Sequence, residues 1–243
     1  MIVLIITAVR IKSMDSHRIS GRILAENIAG PGMLRLVEQS MQARARKTSV
    51  TEIAVKERKH PQAALTFDDG PDIRYTPLLL DGLKERNVRV SFFLLGEKVE
   101  QYPELVERMQ KEGHLVGNHT YHHVQLNKLN ETKAREEILK TNNLIYETTG
   151  VYPLYLRPPF GAWKKNLELC VEMLPVFWTI DTLDWKVQNT EKIVRTVQEQ
   201  IEDGAIILMH DEYDTSVKAA LQVVDELKNQ GYELVTVDQL ILP

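Results

Sequence analysis

The apolar positions of this chain follow two alternating periodicities from Gln62 onward. Short apolar runs predict strands, and the longer segments between them carry apolar residues at helical spacing. The predicted strands are Ala63–Phe67, Val88–Leu95, His114–Gly117, Leu154–Arg157, Val176–Ile180, Ala205–Met209 and Glu233–Val237. The predicted helices include Pro77–Arg86, Val99–Glu112, Glu131–Thr148, Thr190–Gln200 and Asp214–Asn229.

Strands that alternate with helices are typical of parallel βα units. The stretch from Gln62 to the last residue is short for a complete eightfold barrel, which typically needs about 250 residues. We therefore predict an α/β fold, a distorted and reduced (β/α) barrel of about seven parallel strands with its active site at the C-terminal strand ends. A doubly wound open sheet is the alternative.

Residues 1–60 differ in composition from the rest. They hold 11 Lys and Arg against 5 Asp and Glu, a net charge of +6, whereas the whole chain carries −4. We predict a basic N-terminal extension over residues 1–60, with one helix over Met33–Ala45, and a folded domain over residues 61–243. The apolar run Met1–Val9 is shorter than the about 20 residues that span a bilayer. It is either a truncated signal anchor followed by a linker or a short strand.

The overall composition argues against two properties, nucleic-acid binding and an intramolecular disulfide. A net charge of −4 does not indicate binding to nucleic acid. The single cysteine, Cys170, excludes an intramolecular disulfide.

Two adjacent carboxylates, Asp68 and Asp69, end the first predicted strand and precede a Gly70-Pro71 turn. Neighbouring carboxylates repel each other unless a cation or a proton separates their roles. One acid could bind a metal while the other handles protons. An ordinary acidic turn is the alternative for this motif taken alone.

A histidine cluster follows the third predicted strand. His119 and His123 are four residues apart, so a helical turn would place them on one side. Imidazoles suit zinc, and catalytic zinc sites often use three protein ligands. Asp69 would complete such a set, and a surface histidine cluster is the alternative. His122 would point about 100° away from His123 on a helical turn, so we place it outside the site.

Other strand ends also carry ionisable residues. Arg157 ends the fourth predicted strand, Asp181 and Asp184 follow the fifth, and His210 with Asp211 follows the sixth. In parallel barrels the active site lies at these ends. Ionisable residues at five separate strand ends favour a functional set over a structural one.

Taken together, these motifs resemble the NodB-type polysaccharide deacetylases of carbohydrate esterase family 4. The matching pieces are TFDDG at 66–70, HTYHH at 119–123, RPPFG at 157–161, DTLDW at 181–185 and ILMHD at 207–211. They occur in the family's order and leave residues 1–60 outside the resemblance. The resemblance implies a catalytic domain over residues 61–243 and metal-dependent hydrolysis of N-acetyl groups, usually on N-acetylglucosamine units of peptidoglycan or chitin.

The resemblance also implies roles for residues of the first three motifs. Asp68 would be the general base, and Asp69, His119 and His123 would bind the metal. Arg157 would pair with the base, which fits because a guanidinium favours an ionised carboxylate beside it. Zinc is the expected metal, and cobalt or nickel could replace it.

The last two motifs would supply the acid and the acetyl pocket. By the same resemblance, His210 would be the general acid, and Asp184 would orient it. Trp185 and Leu208 would wall a pocket for the acetyl methyl group. The backbone N–H of Phe160 would help bind the oxyanion.

Several neighbouring residues have simpler interpretations. Asp181 is predicted to be a turn or cap residue, and Asp211 and Glu212 are predicted to lie in a solvated loop. Trp163 could either stack on sugar or pack against the protein.

The expected function is therefore removal of N-acetyl groups from a cell-wall polysaccharide, with release of acetate. The alternatives are an O-acetyl xylan esterase on the same scaffold and a non-catalytic glycan-binding module. Relatives thought to act on N-acetylmuramic acid often carry Asn at the position of Asp69, so its retention favours the metal-dependent type. We expect an acetylated polysaccharide as partner, no nucleic acid, a monomer, and an extracellular or cell-surface location with membrane association through the N-terminus.

Overall fold

A computed structural model describes residues 59–163 and 173–241 of the chain. The predicted extension up to residue 58, with its helix over Met33–Ala45, lies outside the described residues, and so does Cys170. The strands are β1 (Gln62–Asp68), β2 (Ser91–Leu94), β3 (Leu115–Asn118), β4 (Tyr155–Leu156), β5 (Leu174–Pro175), β6 (Ile180–Asp181), β7 (Ala205–His210) and β8 (Glu233–Leu234). The α-helices are α1 (Thr76–Glu85), α2 (Gly96–Gln101), α3 (Pro103–Lys111), α4 (Glu131–Thr149), α5 (Asp184–Val187), α6 (Thr190–Gln200), α7 (Asp214–Asn229) and α8 (Val237–Ile241).

All paired strands are parallel and form one sheet. Its order is β5-β4-β3-β2-β1-β7-β6, and β8 pairs with the start of β1. From β1 to β5 each strand lies beside the next, and β7 and β8 return to pair with β1, as in a barrel. The sheet curls into a half-barrel, which confirms the predicted reduced barrel and removes the open doubly wound sheet.

The predicted strand Val176–Ile180 is wrong. All of this run except Ile180 lies between two short strands, β5 ending at Pro175 and β6 starting at Ile180, which are on opposite edges of the sheet. The carbonyls of Val176 and Phe177 each lie 3.4 Å from a guanidinium nitrogen of Arg157, Nε and Nη2 respectively. This segment crosses the open side of the barrel. Its backbone carbonyls accept hydrogen bonds from the Arg157 side chain instead of from a neighbouring strand.

One predicted helix is divided in two. The pattern over Val99–Glu112 predicts a continuous helix, but α2 ends at Gln101 and α3 begins at Pro103. Proline has no N–H to donate and disfavours a helical conformation in the residue before it. Tyr102 accordingly leaves the helical region, with φ −133° and ψ 57°.

The strand β1 separates the two sides of the core. Ala63, Leu65 and Phe67 pack in the cluster shared with the outer helices. The alternate residues face the barrel interior, where Ala64 packs with Phe93, Tyr155, Val176 and Val237. Because side chains alternate along a strand, Thr66 and Asp68 point to that same interior.

Within the described ranges, no helix has the length and hydropathy needed to cross a bilayer.

A buried histidine at the opposite end of the barrel predicts acid sensitivity of the fold. His114 is 4% exposed, its Nδ1 accepts the Val90 N–H at 3.1 Å, and burial lowers its pKa to about 4. The unfolded chain binds this proton near pH 6.5, so the stability from neutral His114 is present above that pH and lost as pH falls through about 4. The loss amounts to up to about 3 kcal/mol.

We expect His114→Asn to reduce this pH dependence, because the Asn carbonyl can still accept from Val90 but does not titrate. The measurement is the free energy of unfolding in urea at pH 7 and pH 5 for both proteins. Equal losses of stability on acidification would contradict the assignment to His114.

Candidate active site

A cleft of about 500 Å³ lies at the C-terminal ends of the strands. Eight of the ten predicted site residues line it: Asp68, Asp69, His119, His123, Phe160, Trp185, Leu208 and His210. The other two, Arg157 and Asp184, lie fully buried behind it. Four lining residues were not predicted as site residues: Trp178, Asp181, Glu212 and Tyr213. Parallel register explains the convergence, since Asp68 at the end of β1 is paired with His210 at the end of β7.

A buried ion pair holds the first carboxylate. The Arg157 guanidinium is completely buried, and its Nη1 donates to Asp68 Oδ1 and to Thr66 Oγ1, each at 2.7 Å. Burial lowers the pKa of Arg157, and the charge of Asp68 opposes that effect. The second oxygen of Asp68, Oδ2, lies 3.7 Å from His119 Nε2 and is therefore next to the histidine cluster.

The second carboxylate and two histidines form a three-donor set. Asp69 Oδ1 lies 3.3 Å from His119 Nε2 and 3.4 Å from His123 Nε2. His119 Nδ1 lies 2.6 Å from the Arg157 carbonyl, so Nδ1–H donates and Nε2 presents its lone pair to the set. One donor atom from each of Asp69, His119 and His123 fits within 4.8 Å of the other two.

The chemistry of this set fits a divalent cation. Two imidazoles and a carboxylate are a common zinc ligand set with an open position. Asp69 Oδ1 is buried and has no hydrogen-bond partner among the described residues, as expected of an atom that ligates an ion. Burial would raise the pKa of Asp69, but His119, His123 and His210 together hold it well below its usual range.

The histidines do not lie on a helical turn, so that interpretation of their spacing was wrong. Residues 119–123 form an irregular loop after β3, in which Thr120 has φ 67° and His123 has φ 54°. These two left-handed residues bring His123 back toward His119, with ring centroids 5.1 Å apart. His122 is exposed and pairs with Glu137 on α4, outside the cleft.

A third carboxylate, that of Asp184, is hydrogen-bonded to His210. Asp184 Oδ1 accepts from His210 Nδ1 at 2.8 Å, and Asp184 Oδ2 accepts from the His210 backbone N–H at 2.8 Å. Burial alone would lower the pKa of His210, but the bond to Asp184, with the charges of Asp68 and Asp69, raises it to about 9. His210 Nε2 faces Asp69 Oδ2 at 3.8 Å.

The apolar residues of the cleft differ in exposure. Leu208 is 6% exposed, Trp185 is 49% exposed and Phe160 is 62% exposed. Phe160 has a left-handed backbone, φ 60°, and its ring centroid lies 4.5 Å from that of His123. Trp163 packs against the small core cluster around Leu126, which favours the packing interpretation.

The prediction for Asp211 was wrong. Its side chain is completely buried rather than solvated, and it accepts a short hydrogen bond from the Thr76 hydroxyl. Burial raises the pKa of Asp211 to about 7, and the Thr76 bond opposes the rise. Its carboxylate packs against Gly70, where an added Cβ would clash with Asp211 Oδ1. Nothing in the local sequence distinguishes this acid from an exposed one.

The other two polar residues of this region have mixed roles. Asp181 Oδ1 accepts from the Leu183 N–H at 3.0 Å, as predicted for a turn residue, and it also lines the cleft. Glu212 pairs with Lys98 and lines the cleft as well, so it is not simply solvated.

Comparisons with known proteins agree with this geometry. The polysaccharide deacetylase family profile matches residues 55–176. Peptidoglycan-N-acetylglucosamine deacetylase PgdA of Listeria monocytogenes serotype 1/2a (strain 10403S) is 42% identical over 185 residues, 76% of this chain and 40% of that protein. A peptidoglycan-N-acetylglucosamine deacetylase of Bacillus cereus is 40% identical over 186 residues, 74% of this chain and 68% of that protein.

A solved structure is similar to this chain in fold as well as in sequence. The structure of peptidoglycan deacetylase PdaC from Bacillus subtilis matches with a TM-score of 0.73 and 42% identity, over 75% of this chain and 91% of that chain. The same relative is described as a peptidoglycan-N-acetylmuramic acid deacetylase. The chain belongs to the polysaccharide deacetylase family, as the motifs predicted. It spans less than half the length of the Listeria relative.

The contact between Gly70 and Asp211 generates a prediction. Gly70→Ala places a methyl group against the fixed Asp211 carboxylate, so the turn beside Asp69 must shift. We expect stability to fall by about 1–3 kcal/mol from overpacking and zinc affinity to fall with it, measured by thermal unfolding and chelator competition.

Gly150→Ala is the matched control. Gly150 has φ 73° and nothing within 4 Å of an added Cβ. In that variant an alanine must adopt a left-handed backbone, which should lower the stability by about 1–2 kcal/mol. Its zinc affinity should equal that of the wild type. Wild-type zinc binding by a destabilised Gly70→Ala variant would contradict the positional role of this contact.

The hydrogen bonds between Asp184 and His210 generate a second prediction. In the metal-free protein, Asp184→Asn should lower the pKa of His210 by about one unit or more, because the charged acceptor is lost. The measurement is an NMR titration of the imidazole nitrogens. The stability from the protonated pair is fully present below about pH 6.5 and is lost as pH rises through about 9.

Asp181→Asn is the control for this titration, because Asp181 lines the same cleft but makes its bond to Leu183 instead. We expect that variant to leave the His210 titration unchanged. Equal titration of His210 in the wild type and the Asp184→Asn variant would refute the attribution.

Proposed function

We propose that the chain is a metal-dependent hydrolase that removes N-acetyl groups from N-acetylglucosamine units of a cell-wall polysaccharide, of the peptidoglycan or chitin type. One observation carries the proposal. A single cleft joins a carboxylate paired with a guanidinium, a three-donor set, and an imidazole paired with a carboxylate. That combination supplies a base, a cation site and an acid within a few ångströms of one another.

Asp68 acts as the general base. Arg157 occupies its Oδ1 at 2.7 Å and fixes the orientation of the carboxylate. Its Oδ2 remains on the side of the histidine cluster, 3.7 Å from His119 Nε2. That oxygen takes a proton from water as the water oxygen forms a bond to the acetyl carbon.

His210 acts as the general acid. Asp184 accepts from its Nδ1, which leaves the Nε2–H directed toward the cleft. The hydrogen bond to Asp184 raises the pKa of His210 and so favours the protonated imidazole. As the C–N bond breaks, Nε2 gives its proton to the departing amine, so acetate and a free amino sugar are the products.

Asp69, His119 and His123 hold the cation. When bound, a divalent ion at this set lowers the pKa of water and polarises the acetyl carbonyl. Zinc fits the two nitrogens and one carboxylate best, and cobalt or nickel fit the same donors.

The remaining predicted residues orient the acetyl group. Leu208 and Trp185 line the same cleft and form apolar walls for the methyl group. The backbone N–H of Phe160 would donate to the oxyanion, since backbone N–H groups can form such oxyanion sites in acyl transfer.

The names of the relatives support peptidoglycan as the polymer, and they include both N-acetylglucosamine and N-acetylmuramic acid deacetylases. A polymer of this kind implies an extracellular or cell-surface location. We assign the catalytic unit to residues 61–243 and a membrane-proximal role to residues 1–60, and we expect a monomer.

The central test is acetate release from N-acetylglucosamine oligomers by zinc-loaded protein. Removal of the metal with a chelator should abolish release, and re-addition should restore it. Asp68→Asn should lower the rate by about 10²–10⁴-fold, because the amide cannot take the proton. Asp81→Asn, which alters an exposed partner of Arg108, should leave the rate unchanged.

Substrate panels separate the alternatives. Oligomers with N-acetylmuramic acid and acetylated xylan should release acetate more slowly than N-acetylglucosamine oligomers. Release from xylan alone would favour the O-acetyl esterase. No release from any substrate, together with no bound zinc, would overturn the proposal in favour of glycan binding.

A further inference from the structure

One carboxylate outside the cleft holds the loop that carries both histidine donors. Glu137 Oε2, on α4, accepts the backbone N–H of Tyr121 at 3.0 Å and that of His122 at 2.9 Å. Its Oε1 accepts from His122 Nδ1 at 2.8 Å. All three bonds reach the short stretch between His119 and His123.

That stretch has an unfavourable backbone. Thr120 and His123 are both left-handed, with φ 67° and 54°, and neither is glycine. Such conformations are unfavourable for residues with a Cβ and persist only where neighbouring contacts enforce them. The two consecutive N–H groups between them point at a single carboxylate oxygen of Glu137, an arrangement that is stronger than bonds to a neutral acceptor.

The carboxylate itself is well anchored. The Glu137 side chain is only 16% exposed, and its neighbour Ile138 is fully buried. Asn118, the last residue of β3, donates from Nδ2 to the Ile138 carbonyl at 2.9 Å and to Asn142 Oδ1 at 2.6 Å. The same Asn118 accepts the Thr120 N–H at 2.7 Å, so helix, strand and loop are joined at one point.

We infer that Glu137 is a positioning residue that sets the metal affinity of the site by holding His119 and His123 in the ligating arrangement. It hydrogen-bonds the backbone between the two donors rather than the metal-binding atoms. Without it, the loop can relax out of its left-handed conformations, and binding must then reorder it. This inference rests on the metal site proposed above.

The test is the zinc dissociation constant of the full chain, measured by competition with a chromogenic chelator. Glu137→Ala should weaken zinc binding about tenfold or more, in the range known for residues that support metal ligands. Glu137→Gln should stay within about threefold, because its amide oxygen can accept both backbone N–H groups. Glu136→Ala, at an exposed position on the same helix, is the matched control and should bind as the wild type does.

A second readout separates positioning from general destabilisation. Zinc raises the unfolding temperature by linkage. A purely structural loss would lower stability equally with and without zinc. Loss of positioning should instead shrink the stabilisation by zinc, by about 1.4 kcal/mol for each tenfold loss of affinity. If the Ala variant does not fold, Glu137→Asp replaces it, since its carboxylate is one methylene short of the loop.

The outcomes are distinct. Zinc affinity of the wild type in Glu137→Ala, or an equal loss in Glu137→Gln and Glu137→Ala, would overturn positioning through the two backbone hydrogen bonds to Glu137. Absence of zinc binding by the wild-type chain would instead overturn the metal site, and with it the proposed function.

Discussion

The fold of this site depends on the buried pair of Asp68 and Arg157. Transfer of either charge from water to the interior alone costs several kcal/mol, so each is tolerable only beside the other. The guanidinium also contacts Thr66, the Phe93 ring and the carbonyls at the open side of the barrel. One side chain thus links β1 and β2 to the segment between β5 and β6, where a closed barrel would have a strand.

The cleft concentrates unfavourable backbone conformations. Five non-glycine residues with positive φ lie in the loops around it: Asp69, Thr120, His123, Phe160 and Leu183. Strained residues of this kind cluster at functional sites because they aim side chains and N–H groups where regular structure cannot. The regular strands provide the rigid frame, and the left-handed residues at their ends turn the functional groups into the cleft.

Parallel strands explain how much could be predicted from the sequence. Their C-terminal ends meet at one edge, so polar residues after separate apolar runs had to converge, and the ten predicted site residues do lie in or directly behind one cleft. The local backbone conformation and the burial of several residues depend on tertiary contacts instead, and these could not be predicted. The histidine spacing suggested a helical turn, but bonds from Asn118 and Glu137 hold an irregular loop. The run from Val176 to Ile180 has the pattern of a strand, but the carbonyls of Val176 and Phe177 accept hydrogen bonds from Arg157 instead. Asp211 looked solvated, but the fold closes over it.

The alternation along β1 has a consequence for how the chain can vary in length. A single inserted residue between Gln62 and Asp68 would turn the Asp68 carboxylate toward the helices and place Phe67 against Arg157. The guanidinium would then lose its counterion inside the barrel. Insertions and deletions should therefore be tolerated in the loops that connect the outer helices. The strand β1 can accept substitutions but no change in its number of residues.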